Sequence, residues 1–302
     1  MRQYQGAVFF VDLLGIGALT RKKVPLEKLD YDAWALRPAS RRTEHVFCAK
    51  LLTTFRTCLR KVQKRYGTLK IAQLSDCAFL WSTDASLVAK GASDLMWFST
   101  TSGLLCRGGI ASGEIVEPDR VDRTLGAFVL GEAATKAVGL EQAGKGCRIF
   151  CDDGLVTHLS SEDGSEFGSE VFGLLKNPMD CSIVDEFKWY LKTGPSQMTL
   201  DDREALMLEI LELTSLLRHS PRFNWNSTSH EGRVHLACSI ESISLATQLF
   251  TNCESFVFNS ECMINGFGAR SNLVHGKVSS IWKDEARSRF AHVNKRRNSG
   301  NR

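Results

Sequence analysis

The sequence has few prolines and no long apolar run, and both deficits limit the class of protein it can encode. Its 302 residues contain only 6 Pro beside 24 Gly, while 43% of the residues are hydrophobic and 24% are charged. This composition excludes collagen-like and disordered chains and is typical of a folded protein. The longest apolar stretches, such as residues 6–14, are much shorter than the about 20 residues that a membrane-spanning helix needs. We therefore expect neither a signal peptide nor a membrane span.

The sequence also lacks paired cysteines and a strong excess of charge. Its 10 Cys stand singly, without a Cys-x-x-Cys pair, and several lie inside apolar runs. This usage predicts reduced thiols in a cytoplasmic protein, without structural zinc. A net charge of +4 is too small to indicate a nucleic-acid partner. A basic helix face with Lys61, Lys64 and Arg65, together with the basic C-terminal tail, leaves nucleic-acid binding as a minor alternative.

Hydrophobic patterning in the first half of the chain alternates between strands and helices. Residues 7–11 form a short apolar run typical of a buried strand, and Asp12 ends it. Two further extended runs, 69–74 and 77–81, are separated only by Ser75 and Asp76 and predict a β-hairpin. The remaining predictions are helices from Ser40 or Thr43 to Tyr66, from Leu87 to Gly103 and over 131–140, and strands over 104–116 and 146–151. This order predicts an α+β, ferredoxin-like core rather than a doubly wound parallel sheet.

The pattern changes after about residue 195, where apolar residues recur at helical spacing. One stripe runs over 206–217 and a second over 231–250. We therefore predict two domains: a core over residues 1–195 and a mostly helical C-terminal extension with a basic tail over residues 196–302.

Two aspartates carry the strongest chemical signal. An ionised carboxylate beside a run as apolar as residues 9–11 is costly unless a positive group meets it, and two converging carboxylates repel each other. Both costs are removed if Asp12 and Asp76 together hold Mg²⁺ or Mn²⁺, which prefer oxygen ligands and bring phosphates with them. The alternative is that both residues are ordinary turn aspartates.

The segment after Asp12 favours a phosphate ligand. Gly15 and Gly17 would let backbone amides approach a polyphosphate closely, although glycines at a strand exit also serve ordinary turns. The sequence has no GxxxxGK[ST] motif, which excludes a P-loop.

Four segments in register resemble the successive blocks of the class III nucleotidyl cyclases. The resemblance extends over about residues 5–151, and its blocks are 8–16, 70–76, 107–113 and 131–141. It implies that Asp12, Asp76 and the Leu13 carbonyl hold two divalent ions, Mg²⁺ or Mn²⁺. It also implies a head-to-tail homodimer with active sites at its interface, and phosphate contacts from the amides of Leu14, Gly15, Ile16 and Gly17.

The sequence departs from this family where the family reads the purine and steadies the reacting phosphate. Lys70 fills one purine-reading position, but Phe128 stands where the family's adenylate cyclases have an aspartate. Thr135 replaces the family's transition-state asparagine, and Gly139 replaces its arginine. Neutralisation of the phosphates would then fall to other cations, for which the candidates are Arg41, Arg42, Arg107 and Lys136.

This combination resembles the pyrimidine cyclases of bacterial antiphage (Pycsar) systems. The resemblance implies conversion of UTP to 3′,5′-cyclic UMP and diphosphate, and a product read by a separate effector protein. Two alternatives stay open: a cytidylate cyclase that makes cyclic CMP from CTP, and a catalytically inactive nucleotide sensor on the same fold.

Overall fold

The computed structural model describes residues 1–36, 42–122, 126–161, 167–176, 183–191 and 230–251, with single positions at 181, 199 and between 201 and 217. Its strands are β1 (Arg2–Leu13), β2 (Lys70–Leu74), β3 (Cys77–Ser82), β4 (Cys106–Glu117), β5 (Ile149–Cys151), β6 (Phe172–Lys176) and β7 (Ile183–Phe187). Its α-helices are α1 (Ile16–Thr20), α2 (Lys28–Ala33), α3 (Glu44–Arg65), α4 (Ala85–Thr101), α5 (Glu132–Ala143), α6 (Asp153–Ser161) and α7 (His230–Thr251).

A seven-stranded sheet with the order β2-β3-β1-β4-β5-β7-β6 forms the centre of the molecule. Strand β1 lies between β3 and β4 and is antiparallel to both, whereas β4 and β5 are parallel. The first four strands, with α3 and α4 as crossovers, therefore form the βαββαβ unit of a ferredoxin-like fold. This confirms the predicted α+β fold class.

Helices α3 and α4 cover one face of the sheet because their apolar residues recur at helical spacing. Thr43 begins α3 as N-cap, where its side chain accepts a hydrogen bond from the Val46 amide at 3.3 Å. Asp84 begins α4 in the same way, by accepting from the Leu87 amide at 3.1 Å. The buried stripe of α3, which includes Phe47, Leu51 and Phe55, packs against one face of β1. The β1 residues in the same core are Ala7, Phe9 and Val11.

Helix α5 covers part of the opposite face through small side chains. Its buried residues Ala133, Ala134 and Ala137 pack against Val8 of β1 and Ala111 of β4. Because the contact is so close, a Cβ atom at Gly109 would lie 2.2 Å from the Ala137 carbonyl oxygen. Strand β4 therefore needs glycine where α5 crosses it.

Helix α7 confirms the helix predicted over 231–250 and is joined to the sheet by buried polar contacts. The Ser239 hydroxyl accepts from the Cys147 amide at 2.8 Å, and the Arg148 guanidinium donates to the Cys238 carbonyl at 3.2 Å. Arg148 also pairs with Glu186 of β7, with 2.8 Å between Nε and Oε1. The domain boundary at 195 stays a prediction, and the basic tail lies outside the described residues.

Strand β5 is shorter than the strand predicted over 146–151. The Gly146 and Cys147 amides donate to His235 and Ser239 of α7 rather than to a neighbouring strand. Strands β6 and β7 were not predicted, because both are short and leave apolar residues exposed: Leu174 is 79% and Ile183 69% exposed.

The described cysteines are free thiols, as predicted, and most are buried. Burial raises the pKa of Cys147 to about 12, which keeps this thiol protonated and unreactive. In the described part of the chain, no helix combines the length and apolar character that crossing a bilayer requires.

The approach of α5 to β4 gives a stability prediction. Gly109→Ala should destabilise the protein by about 1–3 kcal/mol, because the added methyl group overlaps the α5 backbone. Gly139→Ala, on the exposed side of α5, is the matched control, since nothing lies within 4 Å of the Cβ position at Gly139. The control should stabilise by about 0.5–1 kcal/mol, as expected for glycine replaced inside a helix. Urea unfolding of both variants checks this, and equal effects would contradict the close packing.

Candidate active site

The tip of the β2–β3 hairpin is tied to the end of β1. Ser75 has a positive φ of 60°, which turns the chain sharply, and the next residue is Asp76. The Asp76 carbonyl accepts a hydrogen bond from the Leu13 amide at 3.0 Å. Asp12 lies opposite Cys77 in the β1–β3 register. The two aspartates predicted as metal ligands therefore lie at the same end of the sheet: Asp12 is on β1, and Asp76 is in the turn that leads into the neighbouring strand β3.

The environment of Asp12 disfavours a negative charge. Burial raises the pKa of its carboxyl from 3.8 to about 7, and the negative charges of Glu141 and Asp76 add to the shift. The positive charge of Arg107 and a hydrogen bond from the Leu13 amide oppose it. A buried carboxyl in this position favours a cation as its partner.

Arg107 lies opposite Asp12 in the β1–β4 register, but its guanidinium is already shared. Nε donates to Glu141 of α5 at 2.6 Å, and Nη1 donates to the Gly144 carbonyl at 3.1 Å. Glu141 is only 4% exposed, so the pair is buried behind Asp12. Glu141 lies in the last family-like block, but its pairing with Arg107 is a tertiary contact that no local sequence pattern indicates.

The other cations considered for phosphate neutralisation also have acidic partners. Arg42 pairs with Asp32 at 3.1 Å, and Lys136 pairs with Glu132 at 2.9 Å. Arg41 lies outside the described residues.

Residues 14–17 form the exit from β1, where phosphate-binding amides were predicted. The Leu14 amide donates to the Leu105 carbonyl at 2.8 Å, so this amide is used within the fold. Gly15 has a positive φ of 92° and begins the five-residue helix α1. Ile16 and Gly17 lie in its first turn, where helix amides have no intrahelical acceptor. The amides of Gly15, Ile16 and Gly17 therefore stay candidates for phosphate binding, and the Leu14 amide does not.

Thr135 and Gly139 lie on the exposed side of α5. The Thr135 hydroxyl donates to the Gly131 carbonyl one turn earlier, at 3.2 Å. Its predicted contact with a reacting phosphate stays a prediction.

Lys70 and Phe128 stand at the two positions with which the resembling family reads the base. Lys70 forms an ion pair with Glu117 of β4, and its ammonium lies 3.4 Å from the Tyr4 hydroxyl. Phe128 lies in the chain segment that connects β4 to α5, and its side chain is 46% exposed. Lys70 of β2 lies opposite Trp81 of β3, and Trp81 lies opposite Val8 of β1. Lys70 is therefore level with a position four residues before Asp12 on β1.

The donor set at Asp12 and Asp76 fits a hard divalent cation. In the described part of the chain, no group of three or more histidine, cysteine or carboxylate side chains is arranged to hold a metal ion. Two carboxylates and the Leu13 carbonyl would leave the remaining positions to water and phosphate oxygens, as is usual for Mg²⁺.

Comparisons with known proteins give similarity only at the level of solved structures. No family model and no curated sequence matches the chain. A bacterial light-regulated adenylyl cyclase is 14% identical, with a TM-score of 0.41 over 63% of this chain and 92% of its own. The guanylyl cyclase domain of RhoGC from the aquatic fungus Blastocladiella emersonii is 15% identical, with a TM-score of 0.43 over 61% and 96%. The adenylyl cyclase CyaB from P. aeruginosa is 16% identical, with a TM-score of 0.41 over 62% and 94%. These values are too low to transfer a substrate or a residue's role to this chain.

The raised pKa of Asp12 predicts how stability depends on pH. The folded protein holds this proton more tightly than the unfolded chain, in which the carboxyl titrates near 3.8. Without divalent ions, this group should therefore lower the free energy of unfolding as the pH rises from about 4 to about 7, and add no further loss above that. Asp12→Asn should remove this part of the pH dependence, as measured by urea unfolding in EDTA across that range.

Divalent ions supply the control. At pH 8, Mn²⁺ at 100 times its Kd should stabilise the wild type by about 2.7 kcal/mol, and Asp12→Asn much less. An identical pH slope in both proteins would show that Asp12 ionises normally in the fold.

Proposed function

We propose that the protein is a nucleotidyl cyclase that converts UTP to 3′,5′-cyclic UMP and diphosphate. The observation that carries the proposal is the meeting of Asp12 and Asp76 at one end of the sheet, tied by the Leu13–Asp76 hydrogen bond of 3.0 Å. Two carboxylates at the same end of the sheet, with helix-start amides beside them, suit a triphosphate with its divalent ions.

In this reaction the ribose 3′ oxygen attacks the α-phosphorus and diphosphate leaves. Asp12, Asp76 and the Leu13 carbonyl would hold two ions, Mg²⁺ or Mn²⁺. Those ions, when bound, lower the pKa of the 3′ hydroxyl and neutralise phosphate charge. The amides of Gly15, Ile16 and Gly17 would orient the triphosphate, and Thr135 would donate one hydrogen bond to the reacting phosphate in place of its bond to the Gly131 carbonyl. Most of the rate enhancement would then come from positioning and charge neutralisation.

The separation between Lys70 and Asp12 supports a homodimer. The four-residue offset along the strands is about 13 Å, and the two-strand offset across the sheet brings the Cα separation to about 16 Å. Glu117 and Tyr4 also hold the Lys70 ammonium towards the end of the sheet away from Asp12, which favours base and metal contacts from different copies. In a head-to-tail dimer, one copy would supply the aspartates and its partner would supply Lys70.

An uncovered apolar patch on the same side of the sheet supports this arrangement. The Phe10 and Phe79 rings lie 4.8 Å apart and are only partly covered, and Leu74 and Phe128 are 56% and 46% exposed. Exposed large apolar side chains of this kind suit a protein interface.

We further propose that cyclic UMP is a second messenger of antiphage defence, read by a separate effector protein. This part of the proposal comes from the pyrimidine cyclase resemblance of the sequence. Phe128, at the position of the family's purine-reading aspartate, supports selectivity for a pyrimidine. The inactive sensor is the competing function, and the substitutions to Thr135 and Gly139 favour it.

Incubation with ATP, GTP, CTP and UTP in separate reactions with Mn²⁺, followed by mass spectrometry, tests the proposal. UTP should yield a cyclic monophosphate, and Asp76→Ala should reduce the rate by at least about 100-fold because one metal ligand is lost. Asp119→Ala is the control, since this exposed residue lies just beyond the other end of β4 and should keep wild-type activity.

The products distinguish the alternatives. Cyclic CMP as the main product would favour the cytidylate cyclase, and equal turnover of ATP would contradict pyrimidine selectivity. Tight nucleotide binding without any cyclic product would favour the sensor.

A further inference from the structure

A polar network joins four strands at the end of the sheet opposite Asp12. Glu117 of β4 is only 3% exposed and accepts a hydrogen bond from the Trp81 indole of β3 at 2.8 Å. Its other carboxylate oxygen pairs with the Lys70 ammonium of β2. Tyr4 of β1 completes the network, with its hydroxyl 3.4 Å from the Lys70 ammonium. Four adjacent strands thus fix the position of one lysine.

Glu117 stays ionised in this buried position. Burial alone would raise the pKa of its carboxyl, but hydrogen bonds from Lys70 and Trp81, and the charge of Lys70, hold the pKa below its usual value. A buried ion pair contributes little net stability compared with an apolar pair of similar size. The main consequence of the network is therefore the fixed position of the Lys70 ammonium, rather than a gain in stability.

Lys70 borders a cavity of about 300 Å³. The cavity is also lined by Tyr4, Ser82 and Asp84, and its volume is at the lower end of the range for small-molecule pockets. The Lys70 side chain is 41% exposed, so it is held on one side and open on the other. A space of this size suits a single ring better than an extended ligand.

The hydrogen-bonding inventory determines what Lys70 can recognise. An ammonium has three N–H donors and no acceptor, and Glu117 and Tyr4 take two of these donors. Both Glu117 oxygens are occupied, by Lys70 and by Trp81. Lys70 therefore offers one further donor, and the matching ligand atom is an acceptor.

We propose that Glu117 is a positioning residue for nucleobase selectivity: it fixes Lys70 so that the ammonium donates to the 4-carbonyl oxygen of a uracil ring in this cavity. Cytosine carries an amino donor at the same ring position, so the fixed ammonium would oppose it. The inference rests on the proposed cyclase function for its nucleotide ligand, and it adds the basis for preferring UTP to CTP.

Glu117→Gln tests the inference while keeping the shape of the side chain. The amide oxygen can still accept from Trp81, but the charge that holds Lys70 is lost. The KM for UTP should rise about tenfold, and the preference for UTP over CTP in kcat/KM should fall about tenfold. The kcat for UTP should change little, because the substitution alters the contact with the base and leaves the proposed metal ligands Asp12 and Asp76 in place. Glu114→Gln, on the same strand and bonded to Gln3, is the matched control and should leave both values unchanged.

Equilibrium binding separates this inference from the proposed reaction. 2′,3′-Dideoxy-UTP and 2′,3′-dideoxy-CTP lack the attacking hydroxyl, so calorimetry with Mn²⁺ reports base recognition without turnover. The wild type should bind the uracil analogue about tenfold more tightly, and Glu117→Gln should bind both about equally.

The outcomes are distinguishable. A binding preference that Glu117→Gln removes, in a protein that forms no cyclic product, would support the base-reading role and contradict the cyclase. Cyclisation of UTP with unchanged selectivity in Glu117→Gln would overturn the base-reading role and leave the cyclase intact. If Glu117→Gln does not fold, as judged by circular dichroism, Lys70→Gln at the more exposed partner replaces it. Unchanged selectivity in Lys70→Gln would likewise overturn the inference.

Discussion

The candidate site depends on the hydrogen bond between the Leu13 amide and the Asp76 carbonyl. At 3.0 Å this bond joins the hairpin tip to the end of the central strand β1. Two aspartates about sixty residues apart in the chain therefore lie at the same end of the sheet. The surrounding structure makes the charge of Asp12 costly: its carboxyl is mostly buried, and Glu141 and Asp76 add negative potential. A divalent cation would compensate this negative charge. Arg107 does so only in part, because its guanidinium also donates to Glu141 and to the Gly144 carbonyl.

The two ends of the sheet have different chemistry. At one end, carboxylates, a strand carbonyl and helix-start amides suit phosphates and their metal ions. At the other end, Glu117 and Tyr4 hold Lys70 beside a small cavity. Because Glu117 and Tyr4 hold the Lys70 ammonium towards the end of the sheet away from Asp12, the proposed active site combines two copies of the chain. Each copy would then contribute metal ligands to one site and a base-reading lysine to the other.

Local sequence signals were sufficient to predict the ferredoxin-like half of the fold. The N-cap of α3, the apolar stripe of α3 and the polar turn at Ser75 and Asp76 each depend on only a few residues. The structure has the stripe and the turn as predicted, and of the two predicted N-caps, Ser40 and Thr43, it has Thr43. The convergence of Asp12 and Asp76 followed from placing both at strand ends. The strands β6 and β7 escaped prediction because their exposed apolar residues break the usual alternation. The shortened β5 depends on α7, about ninety residues later, and no local pattern reports such a contact.

The same distinction applies to the site residues. Lys70 was recognisable from its spacing to Asp76, but Glu117 was not, because its importance comes from burial and from partners on other strands. The hydrogen bond from the Leu14 amide to the Leu105 carbonyl is likewise a tertiary contact that no local pattern predicts.

Anomalous scattering from Mn²⁺ in crystals grown with 2′,3′-dideoxy-UTP tests directly whether Asp12 and Asp76 share a metal ion. We expect manganese within about 2.2 Å of carboxylate oxygens from both Asp12 and Asp76 of one chain, with the triphosphate beside them. Manganese bound to only one of these aspartates, or triphosphate bound at a different edge of the sheet, would contradict this expectation.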